Sequence, residues 1–169
     1  FRWLSLITVF ALQGALIWIV SLPVQLAAAD PNPNELGTVT WLGGVLWLVG
    51  LGFESVGDAQ LARFKANPSN AGRVMDEGLW RYTRHPNYFG DFCVWWGLYL
   101  VASDTALGRA GILGPIVMTV LLTRVSGVAL LEKSIHTRRA GYDEYVARTS
   151  PFFPLPPKAG PATLPPKAS

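Results

Sequence analysis

The sequence is poor in the residues that most often build chemistry into a small protein. It has one cysteine, Cys93, and two histidines, His85 and His136. A single thiol excludes an internal disulfide and any multi-cysteine metal site, and two histidines leave little for a histidine-rich metal centre. Charge is scarce as well: 15% of the 169 residues are Asp, Glu, Lys or Arg, against roughly a quarter in soluble domains. No G-x-G-x-x-G follows a strand pattern and no Walker A sequence occurs, so the commonest phosphate-cradling loops are missing. Nor is there an internal repeat, or the separate basic domain that would point to a nucleic-acid partner. The chain starts at Phe1 rather than methionine, and an N-terminal portion is expected to precede it.

What is present is apolar. Half of the residues are hydrophobic and seven are tryptophan. The length suits one domain. From Trp3 to Ala29 no residue is charged, which exceeds the roughly 20 apolar residues a spanning helix needs. That run is also longer than the apolar core of a signal peptide. Pro23 is expected to kink or end the helix. Further runs cover Leu36–Phe53, Tyr88–Ser103 and Ala110–Leu131, the last carrying Arg124. The expected fold is an all-α, multi-pass transmembrane bundle of about four spans over residues 1–150, followed by a Pro-rich tail over 151–169. The proline density of "SPFFPLPPKAGPATLPPKAS" excludes regular helix there, and the rings of "PFFP" suit a membrane interface.

The connections carry charge unevenly. Asp30 to Glu35 holds no Lys or Arg, whereas the next connection holds Arg63, Lys65, Arg73, Arg81 and Arg84. The third has only Arg109, and the segment after Leu131 is basic again, with Lys133, Arg138, Arg139 and Arg148. Positive residues gather on the cytoplasmic side of short loops. An integral membrane protein with the 55–87 loop and the C-terminus in the cytoplasm satisfies every connection.

Three clusters face that side. In "RYTRHPNYFGD", Pro86 disfavours helix at His85, so a helix is expected to start just after it. Asn87 then lies near a helix N-terminus, where N–H groups and the dipole favour an anion. Arg81 and Arg84 flank it and can make forked phosphate contacts; on charge alone they serve equally as topology signals. In the second cluster Arg124 and Glu132 lie slightly over two helical turns apart, with His136 and Arg139 continuing the face. An arginine within a span is costly and faces the protein interior or a watery cavity; a juxtamembrane salt-bridge ladder is the plainer alternative. In the third, Glu54 and Asp58 could accept from ribose hydroxyls, with Arg63 and Lys65 as cations, or they form a solvated helix end. Acceptors, cations and an aromatic ring around one opening suit a nucleotide held between helices.

"GLWRYTRHPNYFGD" followed by "LLEKSIHTRRAGYDEYVARTSPFFP" resembles the steroid 5-alpha-reductase-like family of multi-pass membrane proteins, and most nearly its bacterial branch long filed as a domain of unknown function. The similarity runs from about Leu4 to Pro157. R-H-P-x-Y alone is shared with isoprenylcysteine carboxyl methyltransferases, while "FKANPSNAGRVMDEGLW" and "RRAGYDEYVARTSPFFP" tilt the match to the reductase side. The resemblance implies NADPH between C-terminal helices and loops, giving hydride to an activated double bond of a hydrophobic steroid- or isoprenoid-like substrate. Carried over by motif, the cofactor-facing candidates are Asp58, Lys65, Arg73, Arg84, His85, Asn87, Tyr88, Asp91, Glu132, His136 and Arg139. Arg124 joins them on its intramembrane position alone. Where steroid enzymes have an asparagine near the second-span mouth, this chain has Glu54. The family's substrate-polarising Glu and Tyr lie on helices N-terminal to the matched region, so no catalytic acid is assigned. The alternatives are an S-adenosylmethionine-dependent membrane methyltransferase and a non-catalytic scaffold holding anionic membrane lipid. Cys93 reads as a packing residue.

Overall fold

The computed structural model describes residues 2–31, 35–125 and 141–158. Among them the chain is helical without a strand, and the one β-type pairing is an isolated parallel bridge between Thr83 and Ser150. The helices are α1 (Arg2–Val20), α2 (Leu22–Ala28), α3 (Thr38–Ala66), α4 (Pro86–Ala102), α5 (Ala106–Ala110), α6 (Leu113–Val120) with a π turn at Leu121–Val125, and α7 (Tyr142–Arg148).

Length and composition make this a membrane protein. α3 and the run Ala106–Val125 are each long and apolar enough to cross a bilayer, and the first apolar run is a third such segment if its bent pair counts as one. The bend is 56° and lies where Pro23 was expected to break the helix. Proline has no N–H to continue the ladder, and side chains near the break add hydrogen bonds to carbonyls of the preceding turn. Ser21 Oγ donates to the Ile17 carbonyl at 2.6 Å, and Gln25 Nε2 donates to the Trp18 carbonyl at 3.0 Å. α4 has 17 residues, the short end of what spans. The fourth expected run, Ala110–Leu131, begins a turn earlier than predicted, at Ala106, and its last residues lie outside the described chain. Large apolar side chains such as Ile7, Phe10, Trp41, Leu42 and Leu48 are exposed, as lipid-facing positions require.

A glycine seam joins α3 to α4. Gly43, Gly50 and Gly57 recur every seventh residue on α3, and Gly90 and Gly97 do so on α4. A seven-residue period keeps one helical face on a partner, and small residues let membrane helices approach backbone to backbone. A Cβ on Gly43 would lie 2.7 Å from the Gly97 carbonyl oxygen, and one on Gly50 would lie 2.5 Å from that of Gly90. Gly57 faces Pro86, with a Cβ there 3.2 Å from the proline Cγ. The register is thus antiparallel, and it seats the start of α4 against Gly57, about two-thirds of the way along α3. Away from the seam, Trp96 Nε1 donates to Thr119 Oγ1 at 3.0 Å and ties α4 to α6.

At the opposite end of the bundle, two aspartates receive helix starts. Asp30 Oδ2 accepts from the Leu107 N–H at 3.0 Å. Asp104 Oδ2 accepts from the Gly37 N–H at 3.0 Å and from the Thr40 hydroxyl. The Thr40 and then the Gly37 hydrogen bond hold the Asp104 carboxyl below the usual carboxylate range. Its folded pKa lies below the unfolded value of about 4. Its stabilisation is therefore complete above that value and is lost as pH falls through the lowered folded pKa. The melting temperature of the detergent-solubilised protein is expected to drop on acidification from about pH 4 downward. In Asp104→Asn that drop should be smaller and the melting temperature at neutral pH lower; equal acid sensitivity in both proteins would remove Asp104 from the explanation.

Candidate functional site

α3 is 29 residues long, about 43 Å at the rise of an α-helix, whereas the hydrocarbon core is about 30 Å thick. Its last uncharged stretch ends at Phe53, and Glu54 to Ala66 continue past it with mixed charge. This overhang, the start of α4, the loop between them and α7 enclose a cavity of about 250 Å³.

Each wall has a local cause. Gly78 takes a positive φ of 57°, and a Cβ there would lie 2.5 Å from Gln60 Nε2; only glycine suits both conditions. The turn it permits lets the Leu79 N–H reach Gln60 Oε1 at 3.0 Å and Trp80 Nε1 reach the Gly57 carbonyl at 3.0 Å. Trp80 thereby lies along the α3 overhang. α7 contributes Tyr142 and Tyr145, three residues apart and on one helical face, both buried. Tyr145 Oη donates to the Trp80 carbonyl at 2.5 Å. Burial, with the neighbouring Tyr142 adding to it, pushes the Tyr145 phenol up from its ordinary value, so it stays a protonated donor at neutral pH. Arg148 on the last turn of α7 pairs with Asp76.

The motif at the start of α4 supplies the opposite wall. Arg84, His85, Asn87 and Tyr88 all line the cavity, with Lys65 at its exposed rim. The Arg84 N–H donates to the Ser150 carbonyl at 2.9 Å, and its Nη1 donates to that of Val146 at 3.1 Å, so the guanidinium bridges to the C-terminal segment. His85 is buried and stacks on Tyr88 with ring centroids 5.3 Å apart and 7° between planes. Helix α4 starts at Pro86 as expected, with Asn87 in its first turn. That turn offers fewer donors than its position suggested: Pro86 has no N–H, and the Tyr88 N–H donates to Asn87 Oδ1 at 3.1 Å.

The remaining candidates lie elsewhere. Asp58 is exposed beside the cavity and accepts from Asn87 Nδ2 at 3.2 Å. Asp91 sits one turn deeper along α4, hydrogen-bonded with Trp95 and within electrostatic reach of Glu54. Arg73 is exposed on the loop after α3, where its Nη1 donates to Asn70 Oδ1 at 3.2 Å. Arg124 is exposed on the π turn. Glu132, His136 and Arg139 lie outside the described residues. Sequence reasoning assigned nothing to Trp80, Tyr142, Tyr145 or Met75, all of which line the cavity. The i, i+3 tyrosines of "GYDEY" were the available signal.

A cavity walled by aromatic rings and lined by a guanidinium, an ammonium and a carboxamide can hold a planar ring carrying anionic or hydroxylated substituents. Among the described residues no group of three or more His, Cys, Asp or Glu side chains is placed to hold a metal ion.

No curated protein and no solved structure matches the chain. The family model described as "Protein of unknown function (DUF1295)" matches residues 2–149, and the chain belongs to that family.

Proposed function

We propose that this chain forms the cofactor-binding part of an NADPH-dependent membrane reductase acting on an activated double bond of a hydrophobic, steroid- or isoprenoid-like substrate. The observation that carries the reading is the cavity itself: Trp80, Tyr88, Tyr142 and Tyr145 surround the space that Arg84, Asn87 and Lys65 border. Rings of that kind stack on a base or nicotinamide, and the cations and carboxamide suit phosphate and ribose. At about 250 Å³ the cavity takes one ring system and its nearest substituents rather than a whole dinucleotide. The rest of the cofactor would extend over the basic loop, which is proposed to face the cytoplasm as positive loops do. The resemblance to steroid 5-alpha-reductase-like proteins points the same way. When bound, NADPH supplies the hydride. The residues here bind and orient it: Tyr145 keeps α7 closed on Trp80, and the Asn87–Asp58 contact fixes the carboxamide.

A second reading has an observation of its own. Four aromatic rings around one space also suit the sulfonium of S-adenosylmethionine through cation–π attraction, which a methyltransferase would use. That cofactor has no phosphate to engage Lys65 and Arg84, so NADPH is favoured. Titration of the detergent-purified chain with each cofactor separates the two. Trp80 emission overlaps nicotinamide absorption, so saturable NADPH binding is expected to quench it with sensitised nicotinamide fluorescence, and Trp80→Phe should remove most of that transfer. Binding of S-adenosylmethionine alone would replace the reductase reading, and binding of neither would return the chain to a scaffold that holds lipid.

A further inference from the structure

Residues 151–158 are not needed to enclose a cofactor, yet they pack tightly on the bundle. Phe152 is 7% exposed and Phe153 is 54% exposed. Phe153 meets Phe89 and Phe92 of α4 edge-on at 6.0 and 5.9 Å, and Phe152 meets the same rings at 6.3 and 5.7 Å. Phe89 in turn contacts Phe53 at 5.0 Å. Phe53 is the last residue before charge begins on α3, so this ring cluster lies where the apolar part of the bundle gives way to its charged end.

The outward surface there has two layers. Tyr82, Phe153 and Leu155 are exposed, and the Leu155 N–H donates to the Tyr82 carbonyl at 3.0 Å, which keeps two of them side by side. Next to them a polar recess is lined by Arg81, Arg148 and Lys158 together with Asp76 and Glu77. Arg148 is engaged with Asp76, whereas Arg81 and Lys158 are exposed. Aromatic and aliphatic side chains at the end of a span, with cations just beyond, match the layering of a bilayer interface: rings at the glycerol level, ammonium and guanidinium at the phosphates. The same segment is tied to residues next to the cavity. Thr83 Oγ1 donates to the Phe152 carbonyl at 2.8 Å, the neighbouring Arg84 N–H holds Ser150, and α7 with its two tyrosines directly precedes the segment.

We infer that residues 151–158 are an interfacial anchor for an anionic phospholipid bilayer: Phe153 and Leu155 insert at its boundary, Arg81 and Lys158 meet phosphate headgroups, and this seating holds α7 in the cavity wall. The lipid surface is then a ligand that closes the site from outside, whichever cofactor the cavity takes.

Two measurements on the full chain in nanodiscs test it. With Cys93→Ala as background, a nitroxide at Phe153→Cys is expected to collide with oxygen more than with a water-soluble nickel chelate, and one at Lys158→Cys the reverse. Equal nickel accessibility at both positions would place the segment in water and overturn the anchor. In unlabelled protein, the Arg84 and Tyr145 amides are expected to exchange about 10-fold more slowly in discs containing phosphatidylglycerol than in pure phosphatidylcholine, since seating adds to the free energy of local opening. Phe153→Ser/Leu155→Ser should abolish that difference with helix content unchanged. Exchange independent of lipid in the wild-type protein would overturn the link between the bilayer and the cavity, even if the anchor stands.

Discussion

Alanine at Gly50 is expected to unseat α4 from α3 and lower the melting temperature of the purified protein sharply. A Cβ there would lie 2.5 Å from the Gly90 carbonyl oxygen and 2.6 Å from the Val94 backbone nitrogen. Both are backbone atoms in the middle of a helix, and neither can move without the helix. The facing residue is already glycine, so nothing smaller can make room. Roughly 3 kcal/mol is expected, the upper end of what an overpacked core costs. Gly44 and Gly52, on the same helix with nothing within 4 Å of a built Cβ, supply the control. Alanine at either should leave stability unchanged or raise it by up to about 1 kcal/mol, the helix-propensity gain over glycine. If all three substitutions behave alike, the seam is not what holds the pair. Because the seam seats Pro86 on Gly57, Gly50→Ala should also separate Asn87 from Asp58 and, on the proposed reading, weaken NADPH binding in whatever fraction remains folded.

Arg84→Ala and Asn87→Ala carry the second large effect, on affinity. Each side chain lines the cavity, and if the proposed NADPH occupies it, loss of a charged or paired polar contact would cost about 1.5–3 kcal/mol, roughly 10- to 150-fold in Kd. The two variants should differ in their side effects. Arg84 also donates to the Val146 carbonyl, so its removal loosens α7 and lowers thermal stability. Asn87 is bound to the exposed Asp58 and accepts from the Tyr88 N–H, so its removal should lower stability by no more than about 1 kcal/mol. Arg84→Lys keeps the charge but not the planar fork, and is expected to fall between wild type and alanine. NADPH affinity unchanged in both alanine variants would sink the site assignment, whatever the chain binds elsewhere.

How much of this was legible beforehand depended on whether the signal was local. The apolar runs, the break at Pro23 and the start of α4 at Pro86 follow from composition and from the geometry of proline, and each is visible within a few residues. The same holds for the cavity wall that Arg84, His85, Asn87 and Tyr88 build, because they are contiguous at one helix end. Arg124 shows the limit of a local signal: its place in an apolar run marks a costly charge, but what it faces depends on the relative placement of the helices. The glycine seam was half-visible. A seven-residue spacing can be read from α3 and α4 separately, but pairing Gly50 with Gly90 requires the antiparallel register.

What the chain alone determined was its class: helices that must satisfy their own backbone in lipid, long apolar runs with charge mostly between them, and one dense polar motif at a helix start. The tertiary structure decided which distant residues complete that motif. Trp80 enters through a glycine turn that Gln60 stabilises, Tyr142 and Tyr145 arrive on a helix about 60 residues further along the chain, and Phe152 returns a proline-rich segment to α4. None of these has a local pattern that names its partner. Side-chain packing between remote segments is a property of their relative placement, and that placement follows from close backbone approach at the seam rather than from composition.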